Sequence, residues 1–127
     1  MLPKHLMYTS HHQWCAQEGN ALVLGATQYA LKPLGGIACV ELPEETDDIL
    51  MEVSYGQIEG LRRILRLYSP ADGVVLSVNG RVVNNPDLLV KDPYEQGWLI
   101  RLGPDAPFRD AGLFSAEDYA TFVRSGG

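Results

Sequence analysis

The chain is poor in cysteine and has no long hydrophobic run. Its 127 residues include two cysteines, Cys15 and Cys39, whose spacing predicts neither a disulfide nor a CxxC redox motif. Every apolar run is much shorter than the roughly 20 residues of a membrane-spanning helix. The N-terminus has no apolar stretch followed by a cleavage site, so we expect no signal peptide. We therefore expect a cytoplasmic protein with two reduced thiols that does not insert into membranes.

Positive charge is also scarce. Ten basic residues face sixteen acidic ones, and the formal net charge is -6. General binding to nucleic acid or to anionic membranes requires clustered lysine and arginine, so this balance argues against both classes of partner. One local exception stands out, because Arg62, Arg63 and Arg66 fall within five residues.

The usual catalytic patterns are missing as well. The sequence has no glycine-rich phosphate loop and no serine–histidine–aspartate spacing, and we expect no enzyme activity. His5, His11 and His12 lie within eight residues. Neighbouring side chains of an extended segment point to opposite faces, which disfavours shared metal ligation. We assign these histidines to surface or capping positions and expect no metal site.

The length and ordinary composition predict one domain over residues 1–127. Glycines and prolines divide the chain into short runs rich in Val, Ile and Leu, which is typical of a mostly β fold. The predicted strands are 21–25, 37–42, 49–58, 64–68, 73–78 and 98–102, with a turn at 59–63. We predict helical turns at 27–34, a helix at 115–123 capped by Ser115, a tight turn at Asn79–Gly80, a loop at 104–112 and a solvent-exposed acidic segment at 44–48.

Five motifs occur in one order along the chain. They are YTSHHQW at 8–14, GIACVELP at 36–43, YSPADG at 68–73, NPDLL with DPY and GWL at 85–99, and AEDY at 116–119. Over about residues 8–123 the chain therefore resembles glycine cleavage system H proteins, a lipoyl-carrier family. The resemblance implies a barrel-sandwich hybrid of two small antiparallel sheets with short peripheral helices and a C-terminal helix. It also implies protein partners of the lipoyl and glycine-cleavage type, and we expect a monomer.

The resemblance breaks at one position that decides the chemistry. In the family, lipoate is joined by an amide to the lysine of an ESVK motif at a hairpin tip. The register places EGLR, residues Glu59 to Arg62, over that motif. Acylation needs an amine that can lose a proton, whereas a guanidinium stays protonated. We expect no lipoyl cofactor, and we expect none of the three lysines, Lys4, Lys32 and Lys91, to lie near the tip.

Two further positions change in the same direction. The resemblance implies a cleft that shelters a cationic amine with the glutamate of HEW and an aspartate four residues after the lipoyl lysine. Gln13 and Arg66 occupy these positions, and Trp14 and Glu59 are the other family cleft positions. A carboxylate attracts a cationic amine and a guanidinium repels it. The changes therefore agree with a chain that no longer carries this cargo.

The arginine cluster leaves two interpretations open. Arg62, Arg63 and Arg66 belong either to a solvated turn or to a site for an anion, such as a lipoyl carboxylate, a phosphate or an acidic partner surface. Our main hypothesis is a non-catalytic binding, scaffold or regulatory module for lipoyl-handling enzymes.

Two alternatives to this hypothesis remain. The first is a covalent carrier with its attachment moved to Cys15 or Cys39, and the second is a non-functional paralogue. We expect Cys15 to be the more exposed thiol and Cys39 to be a small apolar filler in its strand.

Overall fold

The structure is a computed structural model that describes residues 2–109 and 112–127. Its strands are β1 (Met7–Tyr8), β2 (Gln13–Glu18), β3 (Ala21–Ala26), β4 (Ile37–Glu41), β5 (Asp48–Ile49), β6 (Gly56–Gly60), β7 (Ile64–Leu67), β8 (Gly73–Val78) and β9 (Ile100–Pro104). Its helices are α1 (Gln28–Leu31), α2 (Gly80–Asn84), α3 (Asp87–Lys91) and α4 (Ala116–Arg124), and a 3-10 turn at Lys32–Leu34 follows α1 directly.

The strands form two antiparallel sheets. In the described residues, one sheet has the order β1-β2-β3-β9-β8-β5 and the other the order β4-β6-β7. Neither sheet closes into a barrel within that part of the chain. These features confirm the predicted mostly β class, with two antiparallel sheets, short helices and a C-terminal helix. None of the helices described is long and apolar enough to cross a bilayer.

The main core joins the two sheets. Side chains alternate between the faces of a strand, so one face of each sheet can be fully apolar. Leu22 of β3 and Leu102 of β9 contribute to the core from the larger sheet, and Ile58 and Leu67 contribute from the smaller one, all without measurable exposure. Full burial of such a side chain contributes about 1.5–3 kcal/mol. This shared core sets the position of the β6–β7 hairpin relative to the larger sheet.

A second apolar cluster holds α4 against β1 and β2. Tyr119 of α4 stacks on Tyr8 with ring centroids 4.9 Å apart, and Trp14 belongs to the same buried cluster. Ser115 caps the helix, because its hydroxyl oxygen accepts a hydrogen bond from the Asp118 amide at 3.1 Å. The predicted terminal helix and its cap are therefore confirmed.

Two predictions of local secondary structure are wrong: the type of element at Asn79–Gly80 and the extent of the strand at 49–58. Asn79–Gly80 is not a hairpin turn, because the Asn79 side chain accepts from the Arg81 amide at 3.2 Å and caps α2. Asparagine serves as a helix cap as readily as it forms a tight turn, and here the following residues are helical. The predicted strand at 49–58 consists of the end of β5, a turn segment and the start of β6.

Other boundaries differ by a few residues. Sequence reasoning missed β2 and α3 and placed β9 two residues early. In the predicted loop at 104–112, Pro104 belongs to β9, and residues 110 and 111 lie outside the described residues. The acidic segment at 44–48 is exposed, as predicted.

The β2–β3 pair supplies a test of packing. Trp14 lies opposite Gly25, and a Cβ at position 25 would lie 2.3 Å from the Trp14 ring carbon Cε2. We expect Gly25→Ala to lower the free energy of unfolding by about 1–3 kcal/mol, because the indole has no room to move. Urea denaturation measures this change. Gly80→Ala is the control, because a Cβ there meets open space, and an equal loss in both variants would contradict the interpretation.

Candidate functional site

Arg62 lies at the apex of the β6–β7 hairpin. The last ladder pair is Glu59 with Ile64, and the amide of Gly60 donates to the carbonyl of Arg63 at 2.8 Å. The turn between the strands therefore comprises residues 61–63, and all three are exposed. The predicted turn at 59–63 is confirmed in position and is two residues shorter.

The apex is bonded to the 3-10 turn that follows α1. The Arg62 amide donates to the Leu34 carbonyl at 3.0 Å, and the Leu61 amide donates to the Gly36 carbonyl at 3.1 Å. Gly35 has a left-handed φ of 70°, and a Cβ there would lie 2.8 Å from Arg62 Cδ. Glycine is therefore suited to this contact on both counts. The hairpin tip is held in a defined position.

The turn that contacts the apex contains one of the three lysines. Lys32 begins the 3-10 turn, two residues before the Leu34 carbonyl that accepts from Arg62. All three lysines lie outside the hairpin in the sequence, so a slip of a few residues in the register does not restore the acceptor. The sequence alone did not reveal the contact between the turn that begins at Lys32 and the apex, because the two segments meet only in the folded chain.

The arginine cluster is accessible and has no ion-pair partner among the residues that the structure describes. Arg62, Arg63 and Arg66 are exposed, and Arg66 donates from Nη1 to the Gln57 side-chain oxygen at 3.3 Å. Among the described residues, the ion pair within 4.0 Å joins Arg101 to another strand residue, and none of the three arginines forms one. Within the described part of the chain, their guanidinium groups are thus not neutralised by a carboxylate.

The apex also exposes apolar side chains. Leu61 is 74% exposed and Ile64 is 49% exposed, and both flank the arginines. Hydrophobic and guanidinium groups together are typical of protein interfaces, where arginine is enriched. The hairpin apex thus has the composition of a docking surface.

Glu59 faces outward from the smaller sheet, next to Cys39. The two residues are paired across β4 and β6, and the Cys39 thiol donates to Glu59 Oε2 at 3.4 Å. This hydrogen bond is the largest cause that raises the pKa of the Cys39 thiol, and burial adds to it. Cys39 is half-buried on this outward face, so its assignment as an apolar filler is wrong.

Cys15 lies in the core. It is buried on β2, and burial raises the pKa of its thiol to about 12. The expectation that Cys15 is the more exposed thiol is therefore wrong. Trp14 and Cys15 point to opposite faces of β2, and both side chains are buried. The sequence did not reveal that apolar clusters cover both faces of the sheet at this point.

Gln13 connects the larger sheet to the end of the hairpin. It is fully buried on β2, and its side-chain oxygen accepts from the Tyr68 amide at 2.9 Å. Its amide nitrogen donates to the His11 carbonyl. Tyr68 lies two residues beyond Arg66, so the structure brings Gln13 close to the end of β7.

The remaining cleft positions are spread over different faces. Trp14 points to the opposite side of β2 from Gln13, and its indole donates to the Pro93 carbonyl at 2.9 Å. Glu59 and Arg66 lie on the outward face of the smaller sheet. The structure therefore does not bring these four side chains into one cleft.

A shallow cleft of about 290 Å³ does lie near the end of β7. Ser10, His11 and Tyr68 contribute to its lining, and Glu52 supplies a carboxylate. Sequence reasoning missed Glu52, because nothing in its local pattern points to this cleft. No signal in the sequence could have found it, because the β5–β6 connection and the β1–β2 turn meet at this cleft only in the folded chain.

His12 belongs to a hydrogen-bonded chain rather than to a metal site. Its Nδ1 lies 2.8 Å from the Tyr119 hydroxyl, which lies 2.9 Å from Thr27 Oγ1. His12 has a left-handed φ of 65°. Burial, followed by the neighbouring His11, lowers the pKa of His12 below its ordinary value. Within the part of the chain that the structure describes, no three His, Cys, Asp or Glu residues form a group able to hold a metal.

Comparisons with known proteins address the whole chain. The glycine cleavage H-protein family model matches residues 6–126. The chain belongs to the glycine cleavage H-protein family.

Individual H proteins are similar over nearly their full length. The H protein of Magnetococcus marinus is 34% identical over 124 residues, which are 98% of this chain and 89% of the relative. The H protein of Gloeobacter violaceus is 42% identical over 118 residues, 92% of each chain. The crystal structure of the Mycobacterium marinum H protein matches with a TM-score of 0.87 and 29% identity, and covers 97% of this chain and 99% of its own.

Family membership defines the class of the protein. H proteins are lipoyl carriers that interact with glycine cleavage enzymes, and they are not catalysts. This H-protein family member is accordingly not an enzyme. Its hairpin apex and arginine cluster must be understood as parts of a carrier fold.

The lowered pKa of His12 predicts a pH dependence of stability. Because the unfolded chain binds this proton more readily than the folded chain, the free energy of unfolding should fall as the pH drops below the ordinary value of 6.5. Above that value the contribution stays constant, and the slope cannot exceed about 1.4 kcal/mol per pH unit. Urea denaturation from pH 8 to about pH 5 measures it.

Two asparagine variants test whether His12 causes this pH dependence of the free energy of unfolding. His12→Asn keeps a residue that tolerates the left-handed backbone and should flatten the profile in this range. His5→Asn, at an exposed position, should leave the profile as it is in the original chain. Identical profiles for the original chain and His12→Asn would contradict the assignment.

Proposed function

We propose that this H-protein family member is a single-domain, monomeric module that carries no lipoyl group. In this proposal it works in the cytoplasm as a scaffold or regulator that docks on lipoyl-handling enzymes. The observation that carries the proposal is Arg62 at the hairpin apex, at the predicted position of the acceptor lysine. A guanidinium that stays protonated does not attack an activated acyl group.

The hairpin itself supports a retained docking role. Its strand pairing is regular from the Gly56–Leu67 pair to the Glu59–Ile64 pair, and its apex is bonded to the 3-10 turn. An enzyme that recognises the shape of this hairpin would therefore still find its backbone. The loss concerns the reactive group and leaves the surface that presents it.

The charge of the apex supports an acidic partner surface. Arg62, Arg63 and Arg66 have no ion pair among the described residues, and the apolar side chains of Leu61 and Ile64 lie beside them. Guanidinium groups bind carboxylates in a bidentate geometry, which gives both affinity and orientation. Burial of the exposed leucine and isoleucine would add a hydrophobic contribution.

The environments of the two thiols weigh against a relocated covalent attachment. Cys15 is buried with a strongly raised pKa, so it forms little thiolate and no acyl donor reaches it without unfolding. Cys39 is reachable, but its hydrogen bond to Glu59 also raises its pKa. Neither thiol has the electropositive surroundings that activate cysteine.

Mass spectrometry of protein purified from its native host tests the missing lipoyl group. We expect the intact mass of the unmodified chain, with Lys32 unacylated in the peptide map. A lipoyl adduct on any residue would overturn the proposal. Lys32 needs particular inspection, because its turn contacts the apex.

Restoring the amine tests whether the docking surface survives. We expect a lipoate ligase with ATP and lipoate to modify Arg62→Lys, because the exposed apex then presents a primary amine. Arg63→Lys is the matched control, since it places the same amine one residue away and should stay unmodified. Failure of Arg62→Lys to react would show that the ligase surface has diverged.

Direct binding separates a scaffold from a non-functional paralogue. We expect the double variant Arg62→Ala, Arg63→Ala to weaken binding to a glycine cleavage or lipoyl-handling enzyme about ten-fold or more in calorimetry, as loss of interface arginines does. Arg81→Ala is the control, because this exposed arginine donates to Gln96 and lies outside the hairpin. If the original chain binds none of these enzymes, the scaffold role fails.

A further inference from the structure

Strand β7 lies at the edge of the smaller sheet. That sheet has the order β4-β6-β7, so β6 occupies one side of β7 and no described strand occupies the other. An unpaired edge presents backbone amides and carbonyls that can hydrogen-bond a strand of another chain. Because β7 starts at the hairpin apex, its free edge is continuous with the proposed docking surface.

Two residues of β7 direct their backbone groups to this edge. The Gly60 amide donates to the Arg63 carbonyl at 2.8 Å, immediately beyond the Glu59–Ile64 pair. In an antiparallel ladder, a pair flanked by such a bond has its own amides and carbonyls turned away from the partner strand, and every second pair repeats this. The backbone groups of Ile64 and Arg66 therefore point to the free edge, and no hydrogen bond to them occurs within the described residues.

The side chains along this edge are suited to an acidic strand. Ile64 and Arg66 are both exposed, and they lie on the same face because side chains alternate along a strand. Edges that resist pairing are commonly blocked by charge or proline, whereas Ile64 is apolar and 49% exposed. An added strand with an apolar residue beside Ile64 and an acidic residue beside Arg66 would complement both.

A second copy of this chain fits the edge poorly. The outward backbone groups of two antiparallel copies can be joined in a few registers. Each of these places Arg66 of the two copies opposite or diagonal to each other, or places Arg66 opposite the charged apex. Like charges in these positions repel. The charge of the edge therefore favours an acidic segment of a different protein.

We propose that β7 is extended by a strand from an acidic segment of a partner protein. The backbone groups of Ile64 and Arg66 hydrogen-bond the added strand, and carboxylates of that strand lie beside Arg66 and the apex arginines. Main-chain pairing supplies affinity, and the alternating side chains supply selectivity. This inference rests on the proposed function, because the partner belongs to the class of enzymes named there, and it adds the way in which that partner binds.

A peptide of alternating valine and glutamate, acetyl-Val-Glu-Val-Glu-Val-amide, serves as the probe. Its binding to the full chain is followed by amide chemical shifts and amide hydrogen exchange. We expect shifts that concentrate on β7 and the apex, and slower exchange at the amides of Ile64 and Arg66 when the chain is saturated. Leu65 is the internal control, because its amide already lies in the ladder toward β6. The same peptide with lysine in place of glutamate should bind about ten-fold more weakly.

Two variants at position 66 separate the side chain from the backbone. Arg66→Ala removes the charge and keeps the amide, and it should weaken peptide binding about three-fold. Arg66→Pro also removes the outward amide, which the pairing with β6 does not use, and it should weaken binding about ten-fold. Arg81→Ala is the matched control and should bind like the original chain, because Arg81 is exposed outside the hairpin.

Equal binding of Arg66→Ala and Arg66→Pro would overturn strand pairing. So would equal binding of the lysine peptide, or unchanged exchange at the amides of Ile64 and Arg66 in the saturated original chain. The exchange measurement needs no variant, so it decides the question even where the proline variant does not fold.

Amide exchange in a complex with a glycine cleavage or lipoyl-handling enzyme keeps the two proposals apart. If the enzyme binds through Arg62 and Arg63 while the amides of Ile64 and Arg66 stay unprotected, the scaffold role stands and strand pairing fails. If the peptide pairs with β7 and none of these enzymes binds, the strand site stands and the scaffold role fails.

Discussion

The backbone of the hairpin apex is hydrogen-bonded to the 3-10 turn after α1, through the amides of Leu61 and Arg62. The rest of the site depends on this contact. It fixes the direction in which position 62 presents its side chain, and it requires the close approach that Gly35 permits. Without it, the hairpin tip would be held by the ladder of β6 and β7 alone. A carrier fold needs a defined apex, because a modifying enzyme must find one side chain in one place.

In the proposed function, the chemistry at that apex has changed while its backbone geometry is retained. A lysine at position 62 would offer a nucleophile, and Arg62 instead offers a fixed positive charge with planar donors. The neighbouring Arg63 and Arg66 extend this charge over the outer edge of an acidic protein. Guanidinium groups bind carboxylates in a bidentate geometry, and the proposed function assigns these carboxylates to the surface of a protein partner.

The surroundings of both cysteines lower the reactivity of their thiols. Cys15 lies in the core, where desolvation keeps its thiol protonated, and Cys39 is paired with a carboxylate that has the same effect. No cation is among the causes that shift the pKa of either thiol.

The sequence by itself determined the family, the mostly β class and the residue at position 62, because ordered motifs and side-chain identity do not depend on folding. It also predicted the Ser115 cap and the terminal helix, which arise from local hydrogen bonds and local periodicity. It misjudged Asn79, Cys15 and Cys39, and it did not reveal that the turn after α1 meets the hairpin apex. Only the tertiary structure decided those, because cap or turn, exposure and proximity depend on which distant segments pack together, and that packing is not encoded in any single segment.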